Sequence, residues 1–296
     1  MSAELIDGRK IASEIHNETK DRVEILLSRE IKPAICFIRV GEDPASRAYV
    51  NMKDKKAAEL GIIARTLVLP EDTSQEELLK KVAALNADIS THGILVQAPL
   101  PLHISETIIF SSVSPEKDVD GFHPINVGKL LLGDTSGFRS CTPAGVCELL
   151  ARSNIDPQGK HVVILGRGNI VGKPLAAMLC QKADGANATI TLCHSRTQNV
   201  SDYTLQADII VAAMGQAEFL KPDMIKTGSI VIDVGVNRVE DSSLPKGYRL
   251  VGDIDFDGVC QTASYVTPNP GGVGPMTIAM LMANTVRAAE MQNPDL

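Results

Sequence analysis

A tyrosine and a lysine four residues apart are the first candidates for chemistry in this chain. Tyr49 and Lys53 stand in a stretch of helical character, and residues four apart share one face of a helix. Ser46 joins that face, and Lys56 falls close to it. A lysine moves protons only when its pKa lies well below the ordinary value of about 10.4. The pattern therefore indicates either a proton carrier that positions a substrate or a solvated lysine face, and spacing alone favours the second.

A glutamine follows a predicted strand. Gln97 comes directly after Gly93–Val96, at the carboxyl edge where parallel sheets bind ligands. Its amide can hydrogen-bond a substrate and a lysine amine at the same time. An ordinary polar strand end is an equally good interpretation of this position.

Two acids stand two residues apart in the segment KDVDGFH. In an extended chain Asp118 and Asp120 face the same side. One of them can accept hydrogen bonds from an amino-substituted heterocycle. Together with His123 they also form a short cluster of metal-ligand types, but one such cluster is not a coordination set. The sequence therefore predicts no metal.

A glycine-rich turn follows the apolar run Val162–Leu165. Its glycines are Gly166, Gly168 and Gly172, and a helical pattern begins near Ile170. Such a strand–turn–helix brings a phosphate close to backbone N–H groups, although the spacing G-x-G-x-x-x-G departs from the usual G-x-G-x-x-G. Three further strand-like runs follow, at Ala188–Cys193, Asp208–Ala213 and Ser229–Val234. This alternation is typical of a parallel sheet and favours a dinucleotide site over an ordinary turn.

The end of the second of these strands indicates which dinucleotide binds. Residues Cys193–Thr197 contain no acid, whereas an NAD site usually places Asp or Glu there for the ribose hydroxyls. Arg196 and Arg167 can instead face a 2′-phosphate, whose geometry suits an arginine fork. The sequence therefore predicts NADP, with two solvated surface arginines as the alternative.

A second glycine-rich segment, Val266–Thr277, alternates proline with glycine. Proline stiffens a loop, and glycine lets the backbone approach a ligand. The composition differs from that of a flexible linker. It predicts a rigid wall between two ligands, or else a structural turn before the last helix.

Composition limits the classes of partner. A chain of 296 residues with 44% hydrophobic content indicates two domains with a large core. The net charge of −7 argues against duplex nucleic acid, and an aromatic content of 3% without tryptophan leaves few stacking platforms for single strands. The six cysteines show no C-x-x-C and indicate reduced thiols. With no signal-like or membrane-spanning stretch, we expect a cytoplasmic protein without a membrane partner.

The elements that must position these residues form two α/β regions. The first region is predicted as helix Asp7–Arg29, strand Pro33–Val40, a helix from Asp43–Pro44 to Gly61, strand Ile62–Leu69, helix Ser74–Leu85 and strand Gly93–Val96. Thr142 is predicted to cap a helix from Pro143, and Met276–Met291 to form a closing helix. We predict an α/β fold with residues 1–141 as a substrate domain, to which the helix 276–296 returns. Residues 142–275 are predicted as a Rossmann-like domain with a parallel sheet, and long helices join the two.

Eight segments of the chain, in this order, resemble the bifunctional methylenetetrahydrofolate dehydrogenase/methenyltetrahydrofolate cyclohydrolase family. They are SRAYVNMKDKKAAELGI (46–62), ILVQAPLP (94–101), PEKDVDGFHPINVGKL (115–130), CTPAG (141–145), GRGNIVGKP (166–174), CHSRT (193–197), DVGVN (233–237) and VTPNPGGVGPMT (266–277). Each motif is modest alone, but eight in order over essentially the whole chain are highly specific.

The resemblance implies an enzyme that oxidises 5,10-methylenetetrahydrofolate with NADP and then hydrolyses the methenyl product to 10-formyltetrahydrofolate. It implies that Lys53 is the catalytic lysine and that Gln97 holds it. Tyr49 would stack on the folate, and Asp120 would bind the pterin ring. The implied folate-lining set also contains Val96, Ala98, Pro270, Gly271, Gly272, Val273 and Gly274. The implied NADP site contains Thr142, Gly166, Arg167, Gly168, Ser195 and Val236, to which the phosphate argument adds Arg196. The family is typically dimeric, so a homodimer is expected.

The chain departs from the family pattern at a few positions. It has Ala98 in place of leucine, Ser140 in place of proline, Gly168 in place of serine and Asn269 in place of valine. Gly168 removes a hydroxyl beside the expected phosphates, and Ala98 and Asn269 alter the expected folate pocket.

Two other functions are considered. Another two-domain dehydrogenase, of shikimate or amino-acid type, would leave Gln97 and the KDVDG segment unexplained. A non-catalytic NADP-binding regulator would not need the intact set of Tyr49, Lys53, Gln97 and Asp120.

Overall fold

The computed structural model describes residues 2–243 and 247–294. These residues divide into two compact units. The lysine unit comprises Ser13–Cys141 and the residues from Ile278 onward. The glycine-turn unit comprises the residues up to Ala12 and Thr142–Thr277. Both units are α/β, as the sequence predicts.

The secondary structure alternates strands with helices along most of the chain. The strands are β1 (Glu4–Leu5), β2 (Ala34–Val40), β3 (Ile63–Leu69), β4 (Gly93–Val96), β5 (His161–Leu165), β6 (Thr189–Cys193), β7 (Ile209–Ala212), β8 (Ile230–Asp233), β9 (Asn237–Glu240), β10 (Tyr248–Val251) and β11 (Tyr265–Val266). The helices are α1 (Gly8–Ser28), α2 (Pro44–Glu59), α3 (Gln75–Ala87), α4 (Glu106–Ser112), α5 (Pro124–Leu132), α6 (Cys141–Arg152), α7 (Gly172–Leu179), α8 (Val200–Thr204), α9 (Phe256–Thr262) and α10 (Val273–Met291).

The lysine unit is built on a three-stranded parallel sheet in the order β3-β2-β4. All seven residues of β2 are buried, because apolar clusters cover both of its faces. Phe37 packs with Leu26 and Val50 on one face, while Ile38 packs with Leu78 and Ile109 on the other. The alternation is that of a central strand, whose successive side chains point to opposite faces.

The start of α2 follows from its capping residues. The side chain of Asp43 accepts a hydrogen bond from the Ser46 backbone N–H at 2.7 Å, and Pro44 occupies the first turn. Both features are favoured at a helix N-terminus. The helix ends before Gly61, which adopts a φ of +78° that favours glycine.

A segment beyond β4 extends this sheet. Asp118 forms a parallel bridge with Ile94, and the buried Val119 follows it. A Cβ on Gly93 would lie 2.8 Å from the Val119 side chain, so only glycine lets the two segments lie this close. The register places Asp120 just beyond the bridge.

The glycine-turn unit contains a six-stranded parallel sheet in the order β1-β11-β8-β7-β5-β6. The four strands that the sequence predicts in this unit are present, within a residue or two at their ends. Two-residue strands β1 and β11 add an edge that the sequence analysis does not predict, and β9 and β10 form a separate antiparallel pair. Among the described residues, no helix has both the length and the apolarity that crossing a bilayer requires.

The predicted cap at Thr142 is wrong. Helix α6 begins at Cys141, two residues before the predicted start at Pro143, which places Thr142 inside its first turn. The Thr142 hydroxyl shares a hydrogen bond of 2.9 Å with the hydroxyl of Thr277 instead of capping the helix. The helix expected near Ile170 begins at Gly172, and α4 and α5 are elements that the sequence analysis did not predict.

Candidate active site

Helix α2 presents Tyr49 and Lys53 on one face of the lysine unit. The Lys53 amine lies 4.9 Å from the centre of the Tyr49 ring. Lys53 is only 4% exposed, although its neighbours Met52 and Lys55 are exposed, so it is not part of a solvated lysine face. Burial lowers the pKa of Lys53 because the charged form loses its water, and the charge of Asp120 opposes that shift. The neutral form of this amine is therefore easier to reach than that of an exposed lysine.

Gln97 holds this amine. The Lys53 Nζ donates a hydrogen bond to Gln97 Oε1 at 2.9 Å. Gln97 Nε2 donates to the carbonyl of Ala98 at 2.6 Å, which fixes the orientation of the amide. Backbone pairing to Ile38 places Gln97 at the carboxyl end of the sheet. The lone pair of a neutral Lys53 amine is not required for this contact and is available for a reaction.

Asp120 provides the negative charge beside Lys53. Burial raises the pKa of its carboxyl group, while the positive charge of Lys53 and a hydrogen bond from the Cys141 thiol lower it. Burial favours the neutral form of both Lys53 and Asp120. The charge of each residue favours the ionised form of the other and so opposes that shift.

Cys141 is a site residue that the sequence analysis missed. Its thiol is fully buried and donates to the Val119 carbonyl at 3.3 Å. Burial and the charge of Asp120 raise the pKa of this thiol well above its usual range, so it stays protonated and serves as a donor. Its position in the CTPAG motif was the available signal, but a buried cysteine is usually a core residue.

Asp118 and Asp120 have different partners, although they stand two residues apart. The Asp118 carboxylate accepts hydrogen bonds from the backbone of His123 at 2.8 Å and from the Asn126 amide at 2.8 Å. A third bond, of 3.2 Å, comes from Phe122. Burial raises the pKa of Asp118 to about 7 against these three bonds. Through these bonds Asp118 fixes the conformation of the loop that follows Asp120. Within the described part of the chain, no cluster of three His, Cys, Asp or Glu is placed to hold a metal ion.

Two other predicted folate-lining residues belong to this unit. The Val96 side chain is buried in the apolar cluster of Val40 and Leu100, so its side chain serves packing. Ala98 is half-buried and uses its carbonyl to hold Gln97.

The glycine turn of the other unit is shaped by close backbone contacts. Gly166 has a φ of +119°, and a Cβ there would lie 2.1 Å from the Ala213 carbonyl oxygen at the end of β7. A Cβ on Gly172 would lie 1.8 Å from the Gly166 oxygen. Apart from its two chain neighbours, no described residue has an atom within 4 Å of a Cβ built on Gly168, which is exposed together with Arg167. The turn is therefore open to a ligand where the sequence predicts phosphate.

The turn after β6 is also exposed. Ser195 and Arg196 are both exposed, and the Arg196 backbone N–H donates to His194 Nδ1 at 3.1 Å. The β6 end is adjacent to the glycine turn, because Gly166 donates to the Cys193 carbonyl at 2.9 Å. Backbone N–H groups at the start of a helix and a nearby guanidinium fit the phosphates of a dinucleotide.

A buried acid that the sequence analysis missed fixes the chain after β7. The fully buried Asp253 accepts three bonds of 2.7–2.9 Å from the successive N–H groups of Met214, Gly215 and Gln216. A fourth bond, of 2.8 Å, comes from the Asn237 amide. One carboxylate thereby sets the conformation of this edge of the sheet. The sequence shows Asp253 only as the first of three alternating acids, Asp253, Asp255 and Asp257, with nothing to mark it as the buried one.

The proline–glycine loop contacts the start of the chain and the β8 end. A Cβ on Gly8 would lie 1.9 Å from the Gly272 oxygen, so this contact requires glycine. Asn269 Nδ2 donates to the Gly235 carbonyl, next to Val236, which is 65% exposed. The loop is thus held by contacts at both of its sides, and its role as a wall between two ligands stays a prediction.

The structure gathers Tyr49, Lys53, Gln97 and Asp120 into one site in the lysine unit. It gathers Gly166, Arg167, Gly168, Ser195 and Arg196 at one edge of the sheet in the glycine-turn unit. Thr142 is bonded to Thr277, and Val273 begins α10.

Comparisons with known proteins identify relatives of both units. Residues 6–120 match the family described as "Tetrahydrofolate dehydrogenase/cyclohydrolase, catalytic domain". Residues 140–293 match "Tetrahydrofolate dehydrogenase/cyclohydrolase, NAD(P)-binding domain". The chain is 54% identical over 289 residues to the "Bifunctional protein FolD" of Chloroherpeton thalassium, an alignment that covers 97% of this chain and 98% of that protein.

Solved structures give the same result. The bifunctional methylenetetrahydrofolate dehydrogenase/cyclohydrolase FolD from Campylobacter jejuni matches with a TM-score of 0.92 and 48% identity, over 98% of this chain and 99% of that chain. The Trypanosoma brucei enzyme, solved with NADP cofactor and inhibitor, matches with a TM-score of 0.93 and 40% identity, over 98% of each chain.

Proposed function

The chain belongs to the tetrahydrofolate dehydrogenase/cyclohydrolase family, and from this we infer the reactions it catalyses. It oxidises 5,10-methylenetetrahydrofolate to 5,10-methenyltetrahydrofolate with NADP and hydrolyses the product to 10-formyltetrahydrofolate. The observation that carries the second reaction is the buried Lys53 amine, held by Gln97 and facing Asp120.

The oxidation needs orientation more than proton transfer. Two nitrogens flank the methylene carbon, and their lone pairs stabilise the cation that forms as hydride leaves. NADP, when bound, supplies the hydride acceptor. The open glycine turn with Arg167 and Gly168 would hold its pyrophosphate, and Ser195 with Arg196 its 2′-phosphate.

The hydrolysis needs a group that can both take and return a proton. Water bonds to the methenyl carbon and loses both of its protons as its oxygen becomes the formyl oxygen. One carbon–nitrogen bond breaks, and that nitrogen takes up one of the two protons, so that one proton is released in all. We assign this transfer to Lys53. Burial makes its neutral amine accessible, and Asp120 stabilises the ammonium form that follows.

The surrounding side chains position the folate. We assign the Tyr49 ring, 4.9 Å from the amine, to stacking on the substrate. Asp120 can accept hydrogen bonds from the amino group of the pterin ring. Gln97 fixes the amine, and the stiff loop Pro270–Gly274 would border the folate with Ala98.

We further propose that the lysine unit acts as the folate-binding catalytic domain and the glycine-turn unit as the NADP domain. The domain bounds expected from the sequence, 1–141 with 276–296 and 142–275, differ from these units mainly at the first twelve residues, which belong to the glycine-turn unit. We also propose that the protein works as a cytoplasmic homodimer without a nucleic-acid partner, and the net charge of −7 supports the last point. Size-exclusion chromatography with light scattering tests the dimer.

An absorbance assay tests the activity. The purified protein receives 5,10-methylenetetrahydrofolate with either NADP or NAD, and NADPH and the methenyl product are followed together. We expect NADPH to form with NADP, and the methenyl compound to stay below the NADPH concentration because it is hydrolysed. NADP binding without turnover of the folate would instead support a regulator, and turnover of shikimate or an amino acid would support another dehydrogenase.

A further inference from the structure

One amide on the last helix lies behind the Lys53 site. Asn284 of α10 is 7% exposed. Its Nδ2 donates to the carbonyl of Val119 at 2.8 Å and to that of Arg139 at 3.1 Å, and it also contacts Cys141 Sγ at 3.6 Å. A single side chain thus connects two segments of the lysine unit, residues 119–121 and residues 139–141.

These two segments also touch each other directly. The Cys141 thiol donates to the Val119 carbonyl, the same oxygen that Asn284 bonds. Gly121 has a φ of +74°, and a Cβ there would lie 2.6 Å from the Ser140 nitrogen. The segments are therefore in backbone contact, and the Asn284 amide bridges them from α10.

Asp120 stands on the first segment, between Val119 and Gly121. A shift of that segment changes how far the Asp120 carboxylate lies from the Cys141 thiol and from Lys53. Coulomb energy varies with distance and is strongest where water is excluded. The backbone position that Asn284 fixes therefore decides how strongly Asp120 acts on Lys53.

We propose that Asn284 is a positioning residue for the Lys53–Asp120 pair. It does not touch the reacting atoms; it holds the Val119 carbonyl and the Cys141 thiol so that Asp120 stays directed at the amine. The proposal rests on the proposed hydrolysis by Lys53 and names the residue that keeps its charge partner in place.

The charged and titratable groups around this pair come from three parts of the unit. Lys53 faces Tyr49 on its own helix, and Asp120 and Cys141 from the two bridged segments. The charge of Asp118 also raises the pKa of the Cys141 thiol, and Asp120 in turn raises that of Asp118, whose carboxylate is held by its own three hydrogen bonds. Asn284 carries no charge, so its removal alters Lys53 only through the position of the others.

The test is the pH profile of methenyltetrahydrofolate hydrolysis by Asn284→Ala. Asp120 raises the pKa of Lys53, so a less well-directed Asp120 should move the lower limb of the profile to lower pH, by about half a unit or more. The maximal rate should fall about tenfold, because the ammonium form loses its partner. NADP affinity should stay within about twofold, since those residues lie in the other unit.

Thr285→Val is the matched control. Thr285 lies on the same helix, is fully buried, and donates to Leu281 at 2.8 Å, away from both bridged segments. It should lose thermal stability and keep the wild-type profile. If Asn284→Ala likewise loses stability but keeps the wild-type maximal rate and the wild-type lower limb of the hydrolysis profile, the proposal is wrong.

Asn284→Ser decides the question if the alanine variant does not fold. The shorter hydroxyl can bond one carbonyl but not both. The lower limb of the hydrolysis profile should therefore move to lower pH by less than in Asn284→Ala, and an unchanged profile rejects the proposal. A wild-type protein that binds NADP but does not hydrolyse the methenyl compound contradicts the proposed function instead. The two failures are therefore distinguishable.

Discussion

The Lys53 amine donates a hydrogen bond of 2.9 Å to the side-chain oxygen of Gln97. The contact is between a cation-forming group and a neutral acceptor, and the second half of the amide is already bonded to Ala98. Gln97 can therefore orient the amine without adding a charge that would keep it protonated. Because Gln97 is an amide and not an acid, burial remains the largest influence on the Lys53 pKa.

Replacing the amide by an acid tests this. Gln97→Glu places a carboxylate beside the amine, which should raise the Lys53 pKa, move the lower limb of the hydrolysis profile to higher pH, and reduce the rate at pH 7 about tenfold or more. Steady-state hydrolysis across pH 6–9 measures it. Gln75→Glu, at the α3 terminus, is the matched control and should leave the profile unchanged. A Gln97→Glu limb at the wild-type pH would contradict the role of the amide.

Removing the amine should separate the two reactions. Lys53→Met keeps a chain of similar length but cannot carry a proton, so methenyl hydrolysis should fall by about 100-fold or more. The dehydrogenase reaction should lose less, through positioning alone. Lys80→Met, on the exposed face of α3, is the control. Hydrolysis near the wild-type rate in Lys53→Met would refute the assignment.

Asp118 should make stability depend on pH. Its pKa is raised to about 7 from 3.8, so between these values the folded protein holds a proton that the unfolded chain releases. The stabilising contribution is complete below about pH 4 and is lost as pH rises through 7, with a slope of up to about 1.4 kcal/mol per pH unit. The pKa of His16 is lowered to about 4, which gives an opposite slope up to pH 6.5, but that slope is shared by wild type and variant.

The quantity to measure is therefore the difference in unfolding free energy between the wild type and an Asp118 variant. Urea unfolding of wild type and Asp118→Asn at pH 5, 6, 7, 8 and 9 should show that the difference in unfolding free energy in favour of the wild type shrinks from pH 5 to 7 and is constant from pH 8 to 9. Asp134→Asn is the control, because hydrogen bonds from Ser136 lower the pKa of that exposed acid and confine its effect to lower pH. A constant difference across the series would show that Asp118 does not titrate there.

The glycine turn should tolerate one substitution and reject another. Gly168→Ser meets no described atom and restores the hydroxyl expected in the family, so the protein should keep its stability and bind NADP more tightly. Gly172→Ala would place a methyl group 1.8 Å from the Gly166 carbonyl oxygen and should cost about 1–3 kcal/mol in the free energy of unfolding. Thermal unfolding and calorimetric NADP binding test the pair. Equal behaviour of the two variants would contradict the turn geometry.

Arg196 should distinguish NADP from NAD. Arg196→Ala removes a guanidinium from the exposed turn after β6, and loss of a charge-assisted bond of about 1.5–3 kcal/mol corresponds to roughly 10–100-fold weaker NADP binding. NAD binding should change little, because NAD lacks the 2′-phosphate. An equal loss for both dinucleotides would place Arg196 elsewhere in the site.

Much of the fold follows from local pattern. The buried strands and the capped helix α2 are predicted well, because apolar runs, Asp43 and Pro44 carry their signals in a few adjacent residues. Strands β1 and β11 are not predicted, because two residues have no period and pair only through the rest of the sheet. The cap at Thr142 was wrong because its hydroxyl bonds a residue 135 positions away.

In the candidate site too, the features set by local spacing were predicted and those set by distant contacts were not. Spacing predicts that Tyr49 and Lys53 share a helix face, but not that Lys53 is buried while Met52 and Lys55 are exposed. Cys141 and Asn284 were missed because their importance lies in contacts with residues distant in sequence. Asn284 does interrupt the apolar face formed by Leu281 and Ala288, and that interruption was a usable signal.

The edge strand β1 also bears on how this protein can be dissected. Glu4 and Leu5 pair with Tyr265 and Val266, which are synthesised some 260 residues later, so β1 cannot join the sheet until the chain has grown past Val266. A fragment that starts at Thr142 would leave the ladder of β11 unpaired and open to a neighbouring molecule. Excision of the NADP-binding half for biophysical work therefore calls for grafting the first dozen residues back onto it.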